Sequence, residues 1–138
     1  MGTMIEEIGE TLKRTSNVAE VQYNQGELVV TLMIPNNRKQ TVRLDYRPST
    51  YGQYGLLRFQ SRVCAPRSAT QIRNALEMNG GSHCWGLALD TAVTPPVLDV
   101  VYNVVAQNTE VYEVLNLLLQ VATRADELER TTTNADSF

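Results

Sequence analysis

A chain of 138 residues has the size of one ordinary domain, long enough for a two-layer core and too short for two independent ones. With 43% hydrophobic and 20% charged residues, it is not an extended polyampholyte, and its folding needs no metal. The net charge of −3 is uneven, nine Lys/Arg against six Asp/Glu in residues 1–70 and three against nine in 71–138; such asymmetry can steer a partner or orient a dimer, but does not make nucleic acid the default partner.

The N-terminal run Met1-Gly2-Thr3-Met4-Ile5-Glu6-Glu7 lacks the basic segment and apolar stretch of a secretory signal or transit peptide. No apolar run approaches the ~20 residues that span a bilayer. The best candidate, Val111 to Val121, is interrupted by Tyr112, Glu113, Asn116 and Gln120. We therefore expect a cytoplasmic protein with no membrane partner.

Met4, Ile5, Ile8 and Leu12 recur at helical spacing opposite Glu6, Glu7, Glu10 and Lys13, which predicts an amphipathic first helix ending near Ser16-Asn17. Its acidic start and basic end suit the helix dipole. From Val18 the period turns to two. Val21 and Tyr23 mark a short strand, Asn24-Gln25-Gly26 a turn, and Leu28, Val30, Leu32 and Ile34 one face of a second strand.

After the Pro35-Asn36-Asn37-Arg38 turn, Val42, Leu44 and Tyr46 alternate with Arg43, Asp45 and Arg47 in a third strand with one wet face. A loop from Pro48 to Gly55 leads to a fourth, with Leu57, Phe59 and Val63 on one side and Arg58, Gln60 and Arg62 on the other. Ser68-Ala69-Thr70-Gln71 has the form of a capping box, so a short helix runs to Asn79-Gly80-Gly81.

Trp85, Leu87 and Leu89 then alternate into a strand, Thr94-Pro95-Pro96 turns the chain, and Val97 to Ala106 is strongly β-prone. Val111, Val114, Leu115, Leu118, Val121, Ala122, Ala125 and Leu128 repeat at three and four, giving a last helix from about Thr109 to about Arg130. The expected fold is α+β, a mostly antiparallel sheet with helices packed on it in the order α-β-β-β-β-α-β-β-α. It forms one domain over residues 1–130, and residues 131–138 form a flexible polar tail.

Cys64 and Cys84 lie outside any CxxC spacing. His83, Cys84 and Cys64 supply three metal ligands where a closed site needs four, so neither a metal nor another cofactor is expected. Catalysis also lacks a matched set of groups. The single histidine, His83, is next to Cys84, and adjacent side chains of an extended segment point apart. Asp90 and Asp99 flank the proline turn and can approach one another, but aspartates in such places commonly cap backbone amides. Gly80-Gly81 is a helix stop, without the spacing of a phosphate loop. We expect no enzyme.

The block Trp85-Gly86-Leu87-Ala88-Leu89-Asp90, a turn, Leu98-Asp99-Val100-Val101-Tyr102-Asn103-Val104, and then the long helix resembles the closing segment of the bacterial YbjN-like families. The element order over residues 4–130 is similar to the type III secretion chaperone-like fold as a whole. The loop from Pro48 to Gly55 and the Pro95-Pro96 turn depart from that pattern, so loop-borne roles do not carry over. The resemblance implies a non-catalytic, homodimeric, protein-binding module with a chaperone-like or regulatory role and an unknown client.

Two surfaces are candidates for that work. If Leu98, Val100, Tyr102 and Val104 face the helices, then Val97, Val101 and Val105 lie on the opposite face, joined there by Val29 and Met33 of the second strand. Such a stripe is either an interface or a second internal face. With Ile72 of the second helix, these residues are the expected partner or dimer interface, the dimer using Ser68 to Met78 and strand residues 85–89 or 97–105. The other surface is a set of arginines, Arg43, Arg47, Arg58 and Arg62, which alternate onto the wet faces of two neighbouring strands and can grip carboxylates or phosphates. With Tyr46, Tyr51 and Tyr54 nearby, the alternative reading is an anionic-ligand or single-stranded nucleic-acid binder, although a merely solvated, partly neutralised sheet face has the same pattern.

Overall fold

The computed structural model describes residues 2–48, 55–81 and 85–135. The order of elements is α1 (Gly2–Leu12), β1 (Val18–Asn24), β2 (Glu27–Ile34), β3 (Arg38–Pro48), β4 (Gly55–Cys64), α2 (Ala69–Met78), β5 (Gly86–Asp90), β6 (Val97–Val105) and α3 (Val111–Ala135), with a 3-10 turn at Ala106–Asn108. This is the expected α+β order. The six strands form one antiparallel sheet in the spatial order β1-β2-β3-β4-β6-β5.

The alternation of apolar and polar residues decides which face of each strand is buried. Leu28, Val30 and Leu32 of β2, Val42 and Leu44 of β3, Leu57 and Phe59 of β4, and Leu98 and Val100 of β6 are almost wholly buried on one face. Ile5, Ile8 and Leu12 of α1 and Val114, Leu118, Val121, Ala122 and Ala125 of α3 cover that face. Each buried Val, Leu, Ile or Phe among them contributes roughly 1.5–3 kcal/mol by leaving water.

Turn chemistry sets the registers. Gly26 takes φ +83° between β1 and β2, a conformation that a side chain would resist. Asn36 and Asn37 both adopt left-handed backbone between β2 and β3, which asparagine tolerates better than most residues. From there Arg38 reaches across to α3. Its Nε donates to both oxygens of Asp126, at 2.8 and 3.0 Å, and Arg130 Nε lies 3.2 Å from the same carboxylate.

Several boundaries differ from expectation. α1 begins at Gly2, so Glu6 and Glu7 fall beyond its first turn, and it ends at Leu12, before Lys13 and Arg14. Ser68 does cap α2, its Oγ accepting from the Gln71 amide at 3.2 Å. The reciprocal arm of the box, however, is displaced, because Gln71 Oε1 accepts from the amide of Arg67 and not from that of Ser68. β6 ends at Val105, and α3 continues through Ala135, five residues into the segment expected to be a tail. Thr131 there bonds back to the Glu127 carbonyl at 2.9 Å.

Candidate functional site

Among the described residues the helices pack on one face of the sheet and leave the other without helical cover, and the strand registers read out that second face row by row. One row runs Val29, Arg43, Gln60, Val101 and Gly86 from β2 to β5. The next runs Glu27, Asp45, Arg58 and Asn103, followed by Arg47, Leu56 and Val105. On the other side of the first row, Arg62 is opposite Asp99, which is opposite Ala88, while Val97 is opposite Asp90.

Arg43, Arg47, Arg58 and Arg62 therefore share this helix-free face. Arg43, Arg47, Arg58 and Gln60 line a shallow depression of ≈ 360 Å³ together with Ala88, Leu89, Asp90, Thr91 and Ala92 at the start of the β5–β6 turn. Each arginine has a different electrostatic situation. Arg47 is paired with Asp45 at 3.0 Å. Arg43 stands between Asp90 and Asp99, 3.7 and 3.6 Å from their nearest oxygens, too far for a hydrogen bond to either. Arg58 is opposite Asp45 in the register but has no carboxylate partner among the described residues, and its Nε is buried without a hydrogen bond.

Asp99 forms the floor beneath the arginines. It is fully buried, with Oδ2 accepting from Gln60 Nε2 and Oδ1 lacking a partner among the described residues. Burial raises its carboxyl above the ordinary value; the Gln60 hydrogen bond, Arg43 and Arg62 pull it back down, and nearby Asp90 adds to the rise. Asp90 also accepts from the Ala92 amide at 3.0 Å, so it caps the turn as its position suggests. The pair is thus organised around Arg43, with Asp99 buried and Asp90 partly exposed in the lining of the depression.

The apolar candidates do not form one patch. Arg43 and Gln60 lie between Val29 and Val101, because β3 and β4 separate β2 from β6. Met33 is at the far end of β2, opposite Lys39. Val97 is on this face but is buried beneath the turn, so it offers no contact surface. Val101 is half-buried and Val105 exposed, and both neighbour the arginine rows, whereas Ile72 belongs to α2, which meets the sheet at β5.

The aromatic part of the nucleic-acid reading loses its best-placed member. Tyr46 is opposite Leu57 on the helix-covered face, away from the arginines, so it cannot stack a base among them. Tyr51, Tyr54, His83 and Cys84 lie outside the described residues. Among the described residues no cluster of three His, Cys, Asp or Glu side chains is placed to hold a metal, and no helix is long and apolar enough to cross a membrane.

Sequence reading missed the role of Asn79. Past the end of α2, its side chain accepts from the Leu87 amide at 2.6 Å and donates to the Leu87 carbonyl at 2.9 Å, occupying the outer edge of β5 as a further strand would. That edge belongs to the segment expected to mediate dimerisation. No family model matches the chain, and no curated protein matches its sequence.

Proposed function

We propose that the chain is a non-catalytic protein-binding module that grips acidic side chains of its partner on the helix-free face of the sheet, in a regulatory or chaperone-like role. The observation that supports this most directly is Arg58, a guanidinium in the lining of an open depression with no carboxylate partner among the described residues and with Arg43 and Arg47 beside it. Guanidinium groups pair with carboxylates in a planar, two-toothed geometry, and Arg43 has donors that its two distant aspartates do not satisfy. Leu56, Val101 and Val105 adjoin these charges and add apolar contact to a polar grip.

The test is fluorescence anisotropy of a labelled oligoglutamate peptide, with a single-stranded oligonucleotide of equal charge as competitor. Binding that weakens roughly tenfold or more in Arg58→Gln, but not in Arg73→Gln on α2, supports the reading. Equal affinity of Arg58→Gln and wild type refutes it. Preference for the oligonucleotide would move the assignment to nucleic acid.

A further inference from the structure

The two edges of the sheet are treated differently. Asn79 hydrogen-bonds both backbone groups of Leu87 on the β5 edge. At the other edge, β1 pairs with β2 alone among the described residues, and it contains neither proline nor a basic residue. Exposed strand edges are templates for further pairing unless blunted by proline, charge or bulges, and on β1 such protection is limited to the single charge of Glu20 and one bulge. A bulge at Ala19, where the register with β2 slips between Val18 and Glu20, confines the regular stretch to Glu20–Asn24.

That stretch is complementary to itself. An antiparallel pair about a two-fold axis through Gln22 sets Val21 opposite Tyr23 of the second copy and Glu20 opposite its Asn24. Val21 and Tyr23 are on the helix-covered face, since they are opposite Val30 and Leu28 of β2; Glu20, Gln22 and Asn24 are on the bare face. The pairing therefore matches a β-branched residue with an aromatic one and a carboxylate with an amide, and brings no like charges together. Tyr23 is one of the few large apolar side chains left exposed, at 41%, although it is held in place by its hydroxyl donating to the Glu6 carbonyl at 3.1 Å.

We infer that β1 is a homodimer interface, on which a second copy of the chain adds edge to edge around Gln22 to make a continuous twelve-stranded sheet. The two-fold axis is perpendicular to the sheet, so both bare faces look the same way. The inference stands on β1 and is independent of what the arginine face binds.

The experiment is light scattering on size-separated wild-type protein between roughly 10 μM and roughly 1 mM, the range suited to a small interface, with amide hydrogen exchange at both extremes. The expected result is a mass rising from 15.4 kDa toward twice that value, with protection of amides in Glu20–Asn24 rising in step. Gln22→Lys places two ammonium groups face to face on an exposed position and should abolish both changes. A monomer throughout the range overturns the inference, as does a dimer that leaves the Glu20–Asn24 amides unprotected or survives Gln22→Lys unchanged.

Discussion

Replacing Asp126 with alanine tests the tie between the β2–β3 turn and α3. The carboxylate, whose side chain is only 5% exposed, accepts from Arg38 and faces Arg130, so alanine removes the charge-assisted hydrogen bonds from Arg38 and the ion pair with Arg130. Hydrogen bonds to charged groups contribute about 1.5–3 kcal/mol each. Here both arginines are close to half exposed, and once released they regain water, which discounts the sum. We expect a loss of about 2 kcal/mol, read from urea unfolding followed through the single tryptophan, Trp85, with an unchanged m-value. A double-mutant cycle with Arg38→Gln should return a coupling of about 1 kcal/mol. A loss below about 0.5 kcal/mol with no coupling would refute the view that this contact fastens the hairpin to the helix.

Two further outcomes follow from the bare face and the β5 edge. Because burial raises the Asp99 carboxyl above 3.8, the folded chain holds that proton more tightly than the unfolded chain does; the resulting stability is complete below the unfolded value and is lost as pH rises through the folded one. Asp99→Asn should therefore match wild type at about pH 3 and exceed it at about pH 7 in urea titrations, and a variant less stable at neutral pH would contradict this. Asn79→Ala should cost about 1–3 kcal/mol by leaving both Leu87 backbone groups without their partner, with faster amide exchange at Leu87 as the local signature. An unchanged exchange rate there would show that the edge does not depend on Asn79.

Much of the fold is written in periodicity. Alternation in Leu28 to Ile34 and Leu57 to Val63, and the three-and-four repeat from Val111 to Leu128, mark elements that exist because one side of each is apolar. The same alternation places Arg43, Arg47, Arg58 and Arg62 on one face. Periodicity says which face a residue occupies and is silent about which strand lies beside it. The insertion of β6 between β4 and β5, and the two strands that separate Val29 from Val101, are therefore settled only by pairing. Contacts between distant positions have no local signal either: Arg38 and Asp126 are 88 residues apart, and nothing in Asn-Gly-Gly distinguishes an ordinary helix stop from a side chain that completes a strand edge.

The late position of α3 has a consequence for the chain as it is synthesised. β1 to β4 can pair locally as they emerge, since each strand pairs with the one before it in sequence. Their apolar face, with Leu28, Val30, Val42, Leu44, Leu57 and Phe59, then stays open to water while α2, β5 and β6 are made, because much of its cover is supplied by the last helix. The nascent meander thus exposes a sticky flat surface for the time needed to translate nearly half the chain. Partly made chains, more than finished ones, are where this sequence is vulnerable to aggregation.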